Sequence, residues 1–103
     1  MIRQYLRNMA GKPLETLELK RSFEIQAVSD RHVVIWVSGT GKTRTFPIKE
    51  IESAYQALAV SRVITRSEIQ RKYSPRNPAY IAAILAALPN VDYALKPITL
   101  MLR

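Results

Sequence analysis

Apolar and polar residues alternate over the first half of the chain, and the period then lengthens. From Ser22 to Val28, Phe23, Ile25 and Ala27 fall to one side and Glu24 and Gln26 to the other. That two-residue repeat predicts a half-buried strand. Ser29-Asp30-Arg31-His32 is a polar turn. Val33 to Val37 is a continuous apolar run, rich in β-branched residues, which predicts a central strand covered on both faces. Gly39-Thr40-Gly41-Lys42 reads as a glycine hairpin turn. Thr43 to Ile48 completes a third strand with Arg44, Phe46 and Ile48 on one face, and Leu14 to Leu19 is a candidate for an earlier one. Residues 14–48 are therefore expected to form an antiparallel meander of three or four strands. Before it, Tyr5, Leu6 and Met9 supply one short amphipathic turn, ended by Gly11-Lys12-Pro13. Residues 1–13 read as an N-terminal arm that orders only when something holds it.

After Pro47 the apolar period becomes helical. Ile51, Ala54, Tyr55 and Leu58 predict a helix from Lys49 to Ala59, followed by an extended link at Arg62-Val63-Ile64. Two helix starts then stand close together. Thr65 precedes Glu68 by three residues, the spacing of a capping box. Asn77 precedes Pro78, a cap residue followed by a residue suited to the first helical position. Only the turn Ser74-Pro75-Arg76 separates the two helices, which makes a helix-turn-helix candidate. Pro89-Asn90 closes the second helix. Val91 to Lys96 and Ile98 to Arg103 read as two short strands joined at Lys96-Pro97, a hairpin or wing. The expected fold class is α+β in one domain: the N-terminal antiparallel meander, then a three-helix unit with a C-terminal β-hairpin over residues 49–103.

The second helix of the pair is apolar all round. Tyr80, Ile81, Ile84, Leu85 and Leu88 cover one side; Ala79, Ala82, Ala83 and Ala86 cover the other. A helix that reads bases needs long polar side chains outside, and this one offers methyl groups. Its alanine face is expected to pack on the N-terminal sheet or to dock a second subunit or a partner protein.

The order from Lys49 onward is helix, short strand, helix, helix, strand, wing, strand. Over this half of the chain it resembles the winged-helix DNA-binding domains. The pattern F-P-I-K-E-I-E-S-A-Y-Q-A-L, I-T-R-S-E-I and N-P-A-Y-I-A-A-I-L-A-A-L-P is also similar to small modules that accompany restriction-type nucleases and related DNA-processing enzymes. Both resemblances imply an accessory domain that contacts DNA.

Charge points the same way. The 103 residues carry 16 Lys plus Arg against 8 Asp plus Glu, a net charge of +8, which favours polyanionic partners. Nucleic acid comes first and an anionic membrane surface second. Apolar residues make up 48%, enough to build a core rather than a disordered chain. There is no cysteine, so neither a disulfide nor a thiolate metal site is expected. His32 alone makes no metal cluster. No stretch has the length of a membrane span and the first residues lack a signal-peptide apolar region, so the cytoplasm is the expected location.

Catalytic motifs fail. Gly39-Thr40-Gly41-Lys42-Thr43 invites a phosphate-loop reading, but the position that needs glycine is Trp36, and a strand rather than a helix should follow. No triad, dyad or ligand set can be assembled. Glu50 and Glu52, two apart on a helix, do not face each other. The chain is expected to be no enzyme and to take no cofactor.

Positive charge gathers around the helix pair: Arg62, Arg66, Arg71, Lys72 and Arg76 within fifteen residues, against Glu68. A helix-turn-helix meets the phosphate backbone there. Ser67 and Asn77 add polar groups; for Asn77 a capping role is favoured over an adenine contact. Lys42 and Arg44 form a secondary patch, and Lys96 lies on the wing. Tyr80 is expected in the core. Binding would be driven by the backbone, with DNA favoured over RNA because Phe23, Trp36 and Phe46 read as core rather than as a stacking platform. The rival is a protein-interaction module or oligomeric scaffold using Ala79, Ala82, Ala83 and Ala86.

Overall fold

The computed structural model of the chain describes Ile2 to Arg103. It opens with a helix, α1 (Ile2–Met9), rather than a loose arm. Ile2 and Leu6, four residues apart, point into the protein and are buried. Arg3 reaches Glu52 at 3.5 Å, and the Gly11 amide donates to the Ile25 carbonyl at 2.9 Å. The expected arm is thus ordered by the rest of the chain: one apolar turn suffices once a surface exists to cover it.

Four antiparallel strands follow in sequence order: β1 (Leu14–Glu15), β2 (Ser22–Val28), β3 (His32–Val37) and β4 (Lys42–Pro47). The strand expected over Leu14 to Leu19 keeps only its first two residues. The remainder closes into a loop on Thr16, whose amide donates to Arg21 O and whose hydroxyl accepts from Arg21 N. Cross-strand partners share a face. Phe23 pairs with Val37, Ile25 with Ile35, and Val33 with Phe46, and all six are buried. The register slips between Ile25 and Ala27. The extra residue turns Ala27 outward, against the simple alternation.

The expected two-sided cover of β3 is not found. Val34 and Trp36 lie on the other face with Thr43 and Thr45; the first two are only partly buried and the threonines are exposed. A continuous apolar run does not require two covered faces, because an antiparallel sheet can leave one face wet. Trp36 therefore does not belong to the core.

Helix α2 (Ile48–Ser61) buries Ile51, Ala54 and Leu58 along one stripe and stops at Arg62, which adopts the left-handed conformation. Strand β5 (Val63–Thr65) leads to α3 (Arg66–Glu68). The capping box forms as its spacing predicts: Glu68 N donates to Thr65 Oγ1 and Thr65 N to Glu68 Oε1. The same helical segment continues as a wider π-turn over Ile69–Tyr73, closed by Ser74 N on Ile69 O. Ser74 is fully buried and its hydroxyl donates to the Glu50 carboxylate, tying the turn to α2. Helix α4 (Pro78–Ala86), β6 (Val91–Ala94) and β7 (Thr99–Leu102) complete the chain. The second sheet has the order β5-β7-β6, all antiparallel. No helix among the described residues is long and apolar enough to cross a membrane.

One apolar cluster joins both halves, running from Ile2, Phe23 and Ile35 through Ile51 and Ile69 to Leu100. Helix α4 lies inside it, touching α2, α3, β1, β6 and β7. Ala82 and Ala83 are buried and only Ala79 and Ala86 are partly exposed. The middle of the alanine face, Ala82 and Ala83, is therefore covered by the chain itself. Small side chains let neighbouring elements close on the helix from both sides.

Candidate nucleic-acid interface

A cavity of about 330 Å³ opens where the first turn of α4 meets the loop between β1 and β2. Four arginines line it: Arg21, Arg44, Arg66 and Arg76. They come from four separate places in the chain, and local structure explains each position. Arg21 stands two residues before the inward-facing Phe23. Arg44 stands two before the inward-facing Phe46 and pairs with buried Ile35, so it projects from the core face of the sheet. Arg66 opens α3, held by its amide on Ile98 O at 3.0 Å. Arg76 belongs to the turn that Ser74 anchors.

Arg44 organises the inner wall. Its Nη1 donates to Asn77 Oδ1 at 3.1 Å, and its guanidinium carbon lies 5.3 Å from the centre of the Tyr80 ring. Tyr80 in turn packs edge-on against Phe23, ring centres 5.1 Å apart. Tyr80 is thus a core residue, as its helical spacing implies, and also a platform under a cation. Asn77 is buried and makes no side-chain cap to α4. The expected capping role is replaced by the bond to Arg44, because the asparagine oxygen accepts from a charged donor in preference to a backbone amide.

That leaves the start of α4 uncapped. Pro78 has no amide hydrogen, and among the described residues no acceptor meets the amides of Ala79 and Tyr80. First-turn amides have no partner inside their own helix. Glu18 is the one acid on the lining, against four arginines. None of the four forms an ion pair: the salt bridges among the described residues are Arg3–Glu52 and Arg103–Asp92. The cavity lining therefore carries an excess of positive charge beside the first-turn amides of α4, an arrangement suited to phosphate oxygens.

The expected residues separate into two groups. Arg44, Arg66, Arg76 and Asn77 meet at the cavity. Arg62, Ser67, Arg71, Lys72, Lys42 and Lys96 do not line it. Lys72 faces a different groove, between α2 and α3, with Glu52 and Glu68 nearby. Arg62 Nη2 donates to Leu102 O at 3.3 Å, which uses it in joining α2 to β7. Lys42 sits at the β3–β4 turn and Lys96 at the β6–β7 turn, both exposed. The secondary patch splits accordingly: Arg44 joins the main group and Lys42 does not. Arg21 was not among the expected residues. It stands one residue before β2, in the loop closed on Thr16, where strand alternation gives no signal for it.

The glycine turn leads into β4, so it is a hairpin, and the Gly41 φ of 65° is the conformation glycine supplies there. Among the described residues no three His, Cys, Asp or Glu side chains gather to hold a metal ion. No protein family, curated protein or solved structure matches this chain in the three comparisons made.

Proposed function

We propose that the chain is a DNA-binding accessory domain that grips the phosphate backbone through the arginine cavity at the start of α4. One observation carries this reading: four arginines from separate segments line a single recess, and none of them is in an ion pair among the described residues. Leaving like charges close together costs stability, and a polyanion is the partner that relieves it. The winged-helix reading of residues 49–103 is supported by the succession from α2 to β7 and by the order β5-β7-β6.

The mode of contact departs from that of a groove-reading helix. Helix α4 is enclosed along its length, so its open end, not its side, meets the ligand. Binding is then carried by phosphates and selects little among sequences. Trp36 is partly exposed on the opposite face of the first sheet, paired with Glu24 and Thr43. A single ring beside a carboxylate makes a poor base-stacking platform, which keeps RNA behind DNA.

The test is titration of duplex DNA at several salt concentrations, with Arg66→Gln and Arg76→Gln alongside the unaltered chain. Affinity that falls steeply with salt and drops in both variants supports the reading. Binding that ignores salt, or survives both substitutions unchanged, removes it.

A further inference from the structure

The cavity is a recess, and a continuous duplex backbone is a convex ridge. Its walls come from the loop closed on Thr16, from the turn bearing Arg76, from the first turn of α4, and from Ile98 of the β6–β7 turn. A phosphate inside it is approached from several sides at once. Each guanidinium carries five N–H donors; Arg44 spends one on Asn77 and Arg66 one on Gln70. An internal phosphodiester has two free oxygens and one negative charge. A terminal phosphomonoester has three free oxygens and a charge of about −1.5 to −2 near neutral pH. Four arginines without ion-pair partners among the described residues, with the amides of Ala79 and Tyr80, supply more donors than a diester can accept.

We infer that this cavity receives the terminal phosphomonoester of a nucleic-acid strand, so that the protein prefers phosphorylated strand ends to uninterrupted duplex. The inference rests on the nucleic-acid reading above and narrows it to the ends. The apolar part of the lining fits the same ligand: Leu17 and Ile98 stand beside the arginines and can flank the terminal sugar.

The experiment uses the full chain and short duplexes labelled internally, carrying 5′-phosphate, 3′-phosphate or hydroxyl ends, with covalently closed circular DNA and a nucleoside monophosphate as competitors. At least one phosphorylated end is expected to bind about tenfold tighter than hydroxyl ends, consistent with one further charge-assisted contact. The preference is expected to vanish in Arg21→Gln and Arg76→Gln, and to fade below about pH 6, where the phosphate takes up a proton and loses charge. Equal affinity for phosphorylated and hydroxyl ends overturns the inference, and retained salt-dependent binding of closed circles then leaves the broader reading standing. Competition by the mononucleotide as strong as by the phosphorylated duplex also overturns it, assigning the cavity to a free nucleotide. Failure to bind any of these DNAs removes both readings together.

Discussion

Arg44 and Asn77, 33 residues apart, meet in a hydrogen bond of 3.1 Å that joins the first sheet to the start of α4. The bond removes the asparagine from its usual capping task and fixes the guanidinium over Tyr80. It is the one side-chain bond between the two sides of the cavity, so its loss should loosen that wall without opening the core. In a double-mutant cycle with Arg44→Ala and Asn77→Ala, urea unfolding should give a coupling of about 1 kcal/mol. Strict additivity would mean that the contact contributes nothing to holding the two elements together.

Salt dependence counts phosphate contacts. Four arginine contacts to duplex DNA predict a log–log slope of about −3.6. Arg21→Gln, Arg44→Gln, Arg66→Gln and Arg76→Gln should each make the slope shallower by about 0.9. Lys72→Gln should leave it unchanged, because Lys72 faces the other groove. An equal effect of Lys72→Gln would show that general charge, not the cavity, governs binding.

The buried alanines of α4 leave no room for larger side chains. Ala82→Leu should destabilise the fold by about 1–3 kcal/mol through overpacking, read from the urea midpoint. Were that face instead a subunit contact, the monomer would keep its stability and sedimentation would change.

The capping box at α3 is a local device with a local cost. Thr65→Ala removes the acceptor for Glu68 N and should cost about 1 kcal/mol. DNA affinity should change little, since Thr65 does not line the cavity.

Trp36 is the single tryptophan and so reports on one face of one sheet. Its partly exposed ring should be quenched by iodide in the free protein and equally in the DNA complex. Protection on binding would place nucleic acid on the outer sheet face and overturn the cavity as the interface.

Much of this architecture is written in neighbouring residues. Ser22 to Ile25 alternates, Ile51, Ala54 and Leu58 recur at helical spacing, Thr65 and Glu68 stand three apart, and each does as its spacing predicts. These features depend on contacts between residues a few positions apart, so the local chain is enough to determine them. Other features depend on what the rest of the fold supplies. Ile2 and Leu6 became a helix face because a core was there to cover them. The slip between Ile25 and Ala27 reversed the outlook of one residue that alternation had placed inside. Arg21 and Arg44 met Arg66 and Arg76 only because the register of β3 with β4 and the anchoring of Ser74 brought four segments to one point. Arg66 and Arg76 stand out in a run of charge and Arg44 as a secondary patch, whereas Arg21 and the grouping of the four do not. Charge has no periodicity of its own, and long-range packing decides which guanidiniums share a space.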